Sequence, residues 1–132
     1  MVGRSSEGRF RRGCRVSFGR SLMMAKRTQP NGWVPSRPGT RFASALRRCI
    51  ASMLANGSVD VRIFVSTGTP LDFYYGVDMF VEYHGRIVTI DLTMRKRKEN
   101  FKAQVLVTRD DIVHDRLQNI ARQIVIKLGG TN

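Results

Sequence analysis

The chain has 132 residues, the size of one domain with a modest core. Its 23 Lys and Arg against 10 Asp and Glu give a net charge of +13, so nucleic acid is the expected partner and an anionic membrane surface the second candidate. No apolar run approaches the roughly 20 residues of a spanning helix, which argues against a transmembrane protein. Two Cys cannot form a four-ligand zinc site, and the two His add no recognisable ligand spacing. A disulfide-rich secreted scaffold is disfavoured for the same reason.

The positive charge is concentrated near the start of the chain. Residues 1–41 carry ten basic and one acidic side chain, for a net +9, whereas residues 42–132 carry 13 basic and nine acidic side chains, for a net +4. Residues 1–39 are rich in Gly and Ser, contain three prolines and lack a sustained apolar period. They are predicted to form an extended or disordered basic arm, in which Arg11 and Arg12 contact phosphates.

Residues 40–132 are predicted to form a compact α+β domain. Thr40 caps a helix whose apolar residues recur at three- and four-residue spacing. Thr108 and Asp111 form a capping box for a closing helix that ends at the glycine pair 129–130. Between these helices, β-rich runs predict a four-stranded, mainly antiparallel sheet: residues 59–66, 73–83, 86–93 and 103–108.

The central hairpin carries the most specific signal. His84 and Gly85 are the expected two-residue turn, and counting outward from this turn places Asp78 opposite Asp91. Because alternate side chains share a face of a sheet, the two acids lie on one face and a wholly apolar set lies on the other, which is the expected core face. That set comprises Val77, Met79, Val81, Val88, Ile90 and Leu92. Opposed like charges repel, and a divalent cation with oxygen ligands would neutralise them.

An alternative is that both carboxylates simply point into water, where their repulsion is weak. Phe80 lies between the acids on their face, which favours a covered face. Five cations also follow Asp91 within residues 95–102. A carboxylate pair that binds a metal, next to cations that bind phosphate, is the arrangement that metal-assisted phosphodiester cleavage needs.

Gly76-Val77-Asp78, followed by a hairpin and Ile90-Asp91-Leu92-Thr93, resembles the motif of the PD-(D/E)xK nuclease superfamily. This superfamily includes restriction endonucleases and archaeal-type Holliday-junction resolvases. The resemblance covers residues 40–108. It implies that Asp78 and Asp91 bind Mg²⁺, with Mn²⁺ as the alternative ion, and that the metal activates water for hydrolysis.

Two positions depart from the motif of that superfamily. Val77 stands where proline is usual, and Thr93 stands where the motif has lysine. Threonine cannot supply a positive charge, so Lys102 or Lys96 is expected to act as the catalytic cation. The segment 94–101 is also too short for the substantial helix that the superfamily usually inserts between the third and fourth strands.

Several residues near the motif have two interpretations. Asp72 is a further carboxylate and is interpreted as a turn residue after Pro70. The aromatic residues 73–75 lie in a β-rich run and are interpreted as packing residues. In a nucleic-acid-binding protein the same rings would stack on bases.

The resemblance implies a metal-dependent endonuclease that acts on DNA in preference to RNA. Arg95, Arg97 and Lys98 are expected to hold the phosphate backbone, and nothing resembles a base-reading helix, so cleavage is expected to be structure-specific or of low sequence specificity. In a homodimer, each of the two sites would act on one strand of a duplex. The alternative is a non-catalytic basic nucleic-acid-binding protein of the ribosome, of packaged nucleic acid or of a virion. The expected location is the cytoplasm, the nucleoid or a virion, without secretion.

Overall fold

The computed structural model describes residues 16–54, 59–93 and 102–129. Along the chain these residues form α1 (Phe18–Arg27), α2 (Arg41–Met53), β1 (Arg62–Val65), α3 (Pro70–Tyr75), β2 (Met79–Tyr83), β3 (Arg86–Leu92), β4 (Val105–Val107), α4 (Arg109–Val113) and α5 (Leu117–Lys127). The strands form a four-stranded sheet in the order β1-β2-β3-β4. The first three strands pair antiparallel, and β4 pairs parallel with β3. The predicted α+β fold, with a mainly antiparallel sheet and a closing helix, is therefore confirmed.

The central hairpin has the predicted turn and register. His84 and Gly85 adopt positive φ angles of 49° and 81°, as a two-residue turn between twisted strands requires. Tyr83 pairs with Arg86, and the same register continues along both strands to the end of β2.

Among the described helices, none is long and apolar enough to cross a bilayer.

Both faces of the sheet are covered by helices. On one face, α2 and α5 enclose the larger core, which contains the predicted apolar set of β2 and β3. On the other face, α1 and α3 cover a second core around Phe80 and Phe64, whose rings stack at 5.0 Å. Val77 departs from the prediction, because it precedes β2 and packs into the second core. The face that carries the two acids is therefore largely covered rather than open to water.

Helix α1 differs from the extended or disordered arm predicted for residues 1–39. Ser17 caps it by accepting a hydrogen bond from the Arg20 N–H at 3.2 Å, and Ser21 and Ala25 are fully buried against the sheet layer. Lys26 donates to Glu82 of β2 at 2.5 Å. Leu22 and Ala25 pack on the second core at helical spacing, but this apolar pattern spans only the ten residues of α1 within a segment rich in Gly, Ser and Pro. Residues 1–15 lie outside the described part of the chain.

Residues 28–39 cover the free edge of β1. The Gln29 amide donates to the Val65 carbonyl and accepts from the Val65 N–H, both at 2.8 Å. The Trp33 indole N–H donates to the Ile63 carbonyl at 2.9 Å, and the Ile63 N–H donates to the Pro35 carbonyl at 3.0 Å. An edge strand covered in this way is protected from pairing with another chain.

The prediction of a strand from residue 73 is wrong for residues 73–75, which belong to α3. Pro70 stands at the first position of this helix, where its missing N–H costs nothing. Gly76 ends the helix with a φ of 65°. The chemistry of the two helix ends therefore outweighs the β-propensity of the aromatic residues between them.

The closing helix has the predicted capping box but is divided in two. Thr108 accepts from the Asp111 N–H, and the Asp111 carboxylate accepts from the Thr108 N–H. Asp115, at a positive φ of 53°, lies between α4 and α5. Helix α5 then packs on the larger core, so the predicted apolar stripe from Ile120 onward is buried.

Candidate functional site

The backbone on either side of the hairpin holds Asp78 in place. The Gly76 N–H donates to the Asp72 carbonyl at 2.9 Å, which closes α3 and turns the chain toward the sheet. The Asp78 N–H then donates to the Ile90 carbonyl at 2.9 Å, and the Asp78 carbonyl accepts from the Ser66 N–H at 2.8 Å. Asp78 therefore continues the antiparallel pairing of β1, β2 and β3 by one residue before the start of β2.

The structure brings the carboxyl groups of Asp78 and Asp91 together, as the hairpin register predicts. One oxygen of Asp78 accepts the Leu92 N–H at 2.8 Å, and the Asp78 carboxyl group also hydrogen-bonds to Asp91. Asp91 is 3% exposed. The alternative in which both carboxylates point into water does not hold for Asp91.

This environment disfavours the charged form of Asp78. Burial, the hydrogen bond to Asp91 and the negative charges of Asp91 and Asp72 raise the pKa of Asp78, while the Leu92 N–H lowers it. The net effect raises the pKa from 3.8 to about 6. The pair therefore holds a proton more tightly than two separate carboxyl groups do. Above about pH 6 that proton is lost, and a bound metal ion would then neutralise the two negative charges.

Asp72 lies in the first turn of α3, so the prediction that it is a turn residue after Pro70 is wrong. Its carboxylate nevertheless accepts the Gly68 N–H at 2.9 Å and so holds the turn that precedes the helix. Its negative charge also contributes to the raised pKa of Asp78. Sequence spacing alone misses this effect on Asp78, because the orientation of α3 relative to the hairpin is set by tertiary packing.

Lys102, one of the two predicted catalytic cations, lies beside the turn that leads into Asp78. Its Nζ lies 3.5 Å from the Tyr74 carbonyl oxygen, and a Cβ placed on Gly76 would lie 3.9 Å from the Lys102 Cβ. Lys102 is not among the groups that shift the pKa of Asp78. The other predicted cations lie outside the described residues: Lys96, Arg95, Arg97, Lys98, Arg11 and Arg12.

Asp78 and Asp91 provide the oxygen donors that Mg²⁺ prefers. Within residues 16–54, 59–93 and 102–129, no group of three or more His, Cys, Asp or Glu is arranged around a common metal position. Mg²⁺ commonly binds through one or two carboxylates and completes its coordination with water and substrate phosphate. The pair therefore fits Mg²⁺, whereas it provides too few protein ligands for a closed structural metal site.

No protein-family model, curated protein or solved structure matches this chain. The resemblance to PD-(D/E)xK nucleases thus stays a prediction from the residues around Asp78 and Asp91. The geometry of this pair is the basis for a functional proposal.

Gly76→Ala is expected to lower the free energy of unfolding by about 1–2 kcal/mol, because a Cβ is strained in the left-handed conformation of Gly76. Gly39→Ala is the matched control, since a Cβ there meets nothing within 4 Å and the φ of Gly39 lies outside the left-handed region. Urea denaturation of both variants measures the difference. Equal stability of the two variants would contradict the assigned turn.

Proposed function

We propose that the protein is a metal-dependent nuclease that hydrolyses phosphodiester bonds in DNA, with Asp78 and Asp91 as its metal ligands. One observation carries this proposal: in a chain of net charge +13, two carboxyl groups lie in hydrogen-bond contact at the end of the central hairpin. Such a pair costs stability unless a cation neutralises it. Cleavage of a phosphodiester is a reaction that uses both a carboxylate pair that binds a metal and the net positive charge of the chain.

The residues of the site have separate roles in this proposal. When bound, Mg²⁺ would lower the pKa of water and neutralise charge on the scissile phosphate. The Leu92 N–H holds one oxygen of Asp78, so the backbone of β3 orients the carboxylate before any ligand arrives. Lys102 is the candidate for stabilising the negative charge of the transition state. Its contact with the Tyr74 carbonyl is at the limit of hydrogen-bond distance, so a phosphate would compete well for the amine.

Cleavage assays test the proposal directly. The protein is incubated with branched DNA, linear DNA and RNA in Mg²⁺, Mn²⁺ or EDTA. We expect DNA cleavage with either metal and none in EDTA. Asp78→Asn and Asp91→Asn should each lower the rate by more than about 100-fold with binding retained, since losing even an outer partner of a metal costs about 10- to 100-fold.

Asp110→Asn provides the matched control for charge. It removes the same negative charge from the first turn of α4 and is expected to leave cleavage unchanged. Tight binding of DNA without cleavage in any metal would contradict the proposal. So would equal losses in all three variants, because a general change of net charge would then explain them.

A second candidate function is non-catalytic binding of nucleic acid. The position of Lys102 favours it, because the amine contacts the Tyr74 carbonyl. The positive charge of the chain would serve such a protein without an active site. The assays above distinguish the two functions, since a binding protein retains affinity in EDTA and cleaves nothing in Mg²⁺ or Mn²⁺.

A further inference from the structure

Helices α2 and α5 lie side by side on the larger core and share one outward surface, here termed the α2–α5 surface. Cys49 of α2 and Gln118 of α5 line one groove between the helices. Further along both helices, Ser52 and Arg122 line a second groove of about 550 Å³, so the helices run in the same direction. Opposite their buried stripes, six exposed side chains define the surface: Arg41, Arg48, Ser52, Asn119, Arg122 and Gln123.

The two helices carry positive charge without negative charge. Helix α2 contains three cations and α5 contains two, and neither helix contains an Asp or Glu. Asp115 borders the surface at the start of α5, and the adjacent Arg116 balances its charge. By contrast, residues 59–93, which carry the carboxylate pair, include two cations and five acids. The α2–α5 surface therefore attracts an anionic ligand, whereas the hairpin does not.

The arginines of this surface are available to a ligand. Within the described residues, neither ion pair includes a cation of α2 or α5. Arg48 donates one N–H to the Ser44 hydroxyl at 3.0 Å and keeps its other donors for a ligand. Arg47 is different, because it donates to the Val61 carbonyl at 2.8 Å and is directed at the sheet. The charge that meets a ligand is therefore that of the outward arginines.

The neutral side chains of the surface are hydrogen-bond donors. Ser52 has a hydroxyl, and Asn119 and Gln123 have amides, which are groups that contact phosphate oxygens in protein–DNA interfaces. Phe42 is the one aromatic residue of α2 and α5, and it packs partly buried against the larger core. Unpaired bases therefore find no ring to stack on, which favours contacts to a phosphate backbone.

An anionic membrane fits this surface less well. A helix that lies on a bilayer inserts a broad apolar face beside its cations. Ile126, which is 61% exposed, is the large apolar side chain that α5 exposes, and α2 exposes none. A phosphate backbone requires cations and hydrogen-bond donors, which this surface provides.

The direction of α5 relates the surface to the carboxylate pair. Strand β4 ends beside Leu92, the residue after Asp91, and leads into α4 and α5. Beyond the other end of α5, a Cβ placed on Gly129 would meet the Arg86 guanidinium at the hairpin turn. Helix α5 therefore begins at the end of the sheet that carries Asp78 and Asp91, on the opposite side of the sheet from α1 and α3.

We infer that the α2–α5 surface binds duplex DNA through its phosphate backbone, without reading the base sequence. Arg41, Arg48 and Arg122 supply the charged contacts. A duplex carries one negative charge per about 1.7 Å of its axis, so it meets several of these cations at once along helices of about 16–20 Å. The inference goes beyond the proposed nuclease, because a non-catalytic binding protein would use the same surface.

Binding in EDTA tests the inference without any cleavage. Fluorescence anisotropy measures the affinity for a labelled duplex of about 16 base pairs, about one and a half turns, over a range of salt concentrations. Each phosphate contact contributes about 0.9 to the slope of log affinity against log salt. The double variant Arg48→Gln/Arg122→Gln is therefore expected to reduce this slope by about 1.8 and to weaken binding about 60-fold at about 0.1 M salt.

The matched control is the double variant Arg20→Gln/Arg27→Gln. It removes the same charge from exposed positions of α1, on the other face of the sheet. Its effect on affinity should be less than about 3-fold, because the Debye length is about 10 Å at 0.1 M salt. Glutamine retains helix propensity, so circular dichroism and the urea midpoint of both double variants should match those of the native chain.

Several outcomes would overturn the inference. Unchanged affinity in Arg48→Gln/Arg122→Gln would do so, as would equal losses in both double variants, which would indicate an effect of net charge alone. Tighter binding to a single strand than to the duplex would contradict the assigned partner. Loss of binding to vesicles of phosphatidylserine and phosphatidylcholine in Arg48→Gln/Arg122→Gln, with duplex binding unchanged, would assign the surface to a membrane.

Cleavage separates this inference from the proposed nuclease. Metal-dependent cleavage with an unchanged KM for duplex DNA in Arg48→Gln/Arg122→Gln overturns this inference alone. Duplex binding that depends on Arg48 and Arg122, without cleavage in any metal, supports the surface and contradicts only the nuclease.

Discussion

Asp78→Asn is expected to stabilise the protein at about pH 7 and to flatten the pH dependence of its stability. The pKa of Asp78 rises from 3.8 to about 6 on folding, so the folded state holds this proton more tightly than the unfolded state. The resulting stabilisation is fully present below about pH 4 and is lost as the pH rises through about 6. Asparagine still accepts the Leu92 N–H and has no charge to oppose Asp91, which favours the variant by up to about 1 kcal/mol at neutral pH.

Urea denaturation between about pH 4 and pH 8 in EDTA measures this effect. The informative quantity is the difference between the free energies of unfolding of Asp78→Asn and the native chain. We expect this difference to grow from about pH 4 to about pH 6 and then to level off. Asp110→Asn is the control, and its difference should show no such rise. A difference that is flat for Asp78→Asn would contradict the contact between Asp78 and Asp91.

Divalent metal ions should reverse this order, so that the native chain becomes more stable than Asp78→Asn. Mg²⁺ at about pH 7 is expected to stabilise the native chain and to have little effect on Asp78→Asn, because the variant has lost one of two charged ligands. At a concentration of about 100 times the dissociation constant, the gain is about 2.7 kcal/mol. Because a proton and a metal compete for the pair, the gain should shrink below about pH 6. Equal gains in both proteins would place the metal elsewhere.

Phe80→Ala is expected to give the largest loss of stability, about 3–5 kcal/mol. The ring is fully buried between the sheet and its covering helices and stacks on Phe64, with 14° between the ring planes. Its removal leaves a cavity under α1, which can close only if the helix moves. The ion pair between Lys26 and Glu82 opposes such movement, because it attaches α1 to the same strand.

Phe73→Ala is the matched control for this prediction. It removes the same side chain from an exposed position and is expected to change the free energy of unfolding by less than about 0.5 kcal/mol. Urea denaturation provides both values, and hydrogen exchange of the α1 amides reports whether the helix loosens. A loss in Phe80→Ala as small as that in Phe73→Ala would show that α1 does not cover this face.

The sequence alone determines the central hairpin and the pairing of its two aspartates. The turn His84-Gly85 sets the register, and the register places Asp78 and Asp91 together without knowledge of the other elements. The helix after Thr40 and the capping box at Thr108 are local in the same way. Each depends on residues within a few positions of one another, so the pattern along the chain contains the information that is needed.

The tertiary structure alone decides which helices cover the face of the two acids and where Lys102 lies. Helix α1 has only a short apolar pattern, and its position over the second core depends on contacts of Leu22 and Ala25 with residues of other elements. Pro70 and Gly76 mark the ends of α3 locally, but the orientation of this helix depends on the burial of Leu71 in the second core. The parallel pairing of β4 and the approach of Lys102 to α3 join residues that are distant in sequence. Such contacts depend on the packing energy of the whole domain, which a local sequence pattern does not encode.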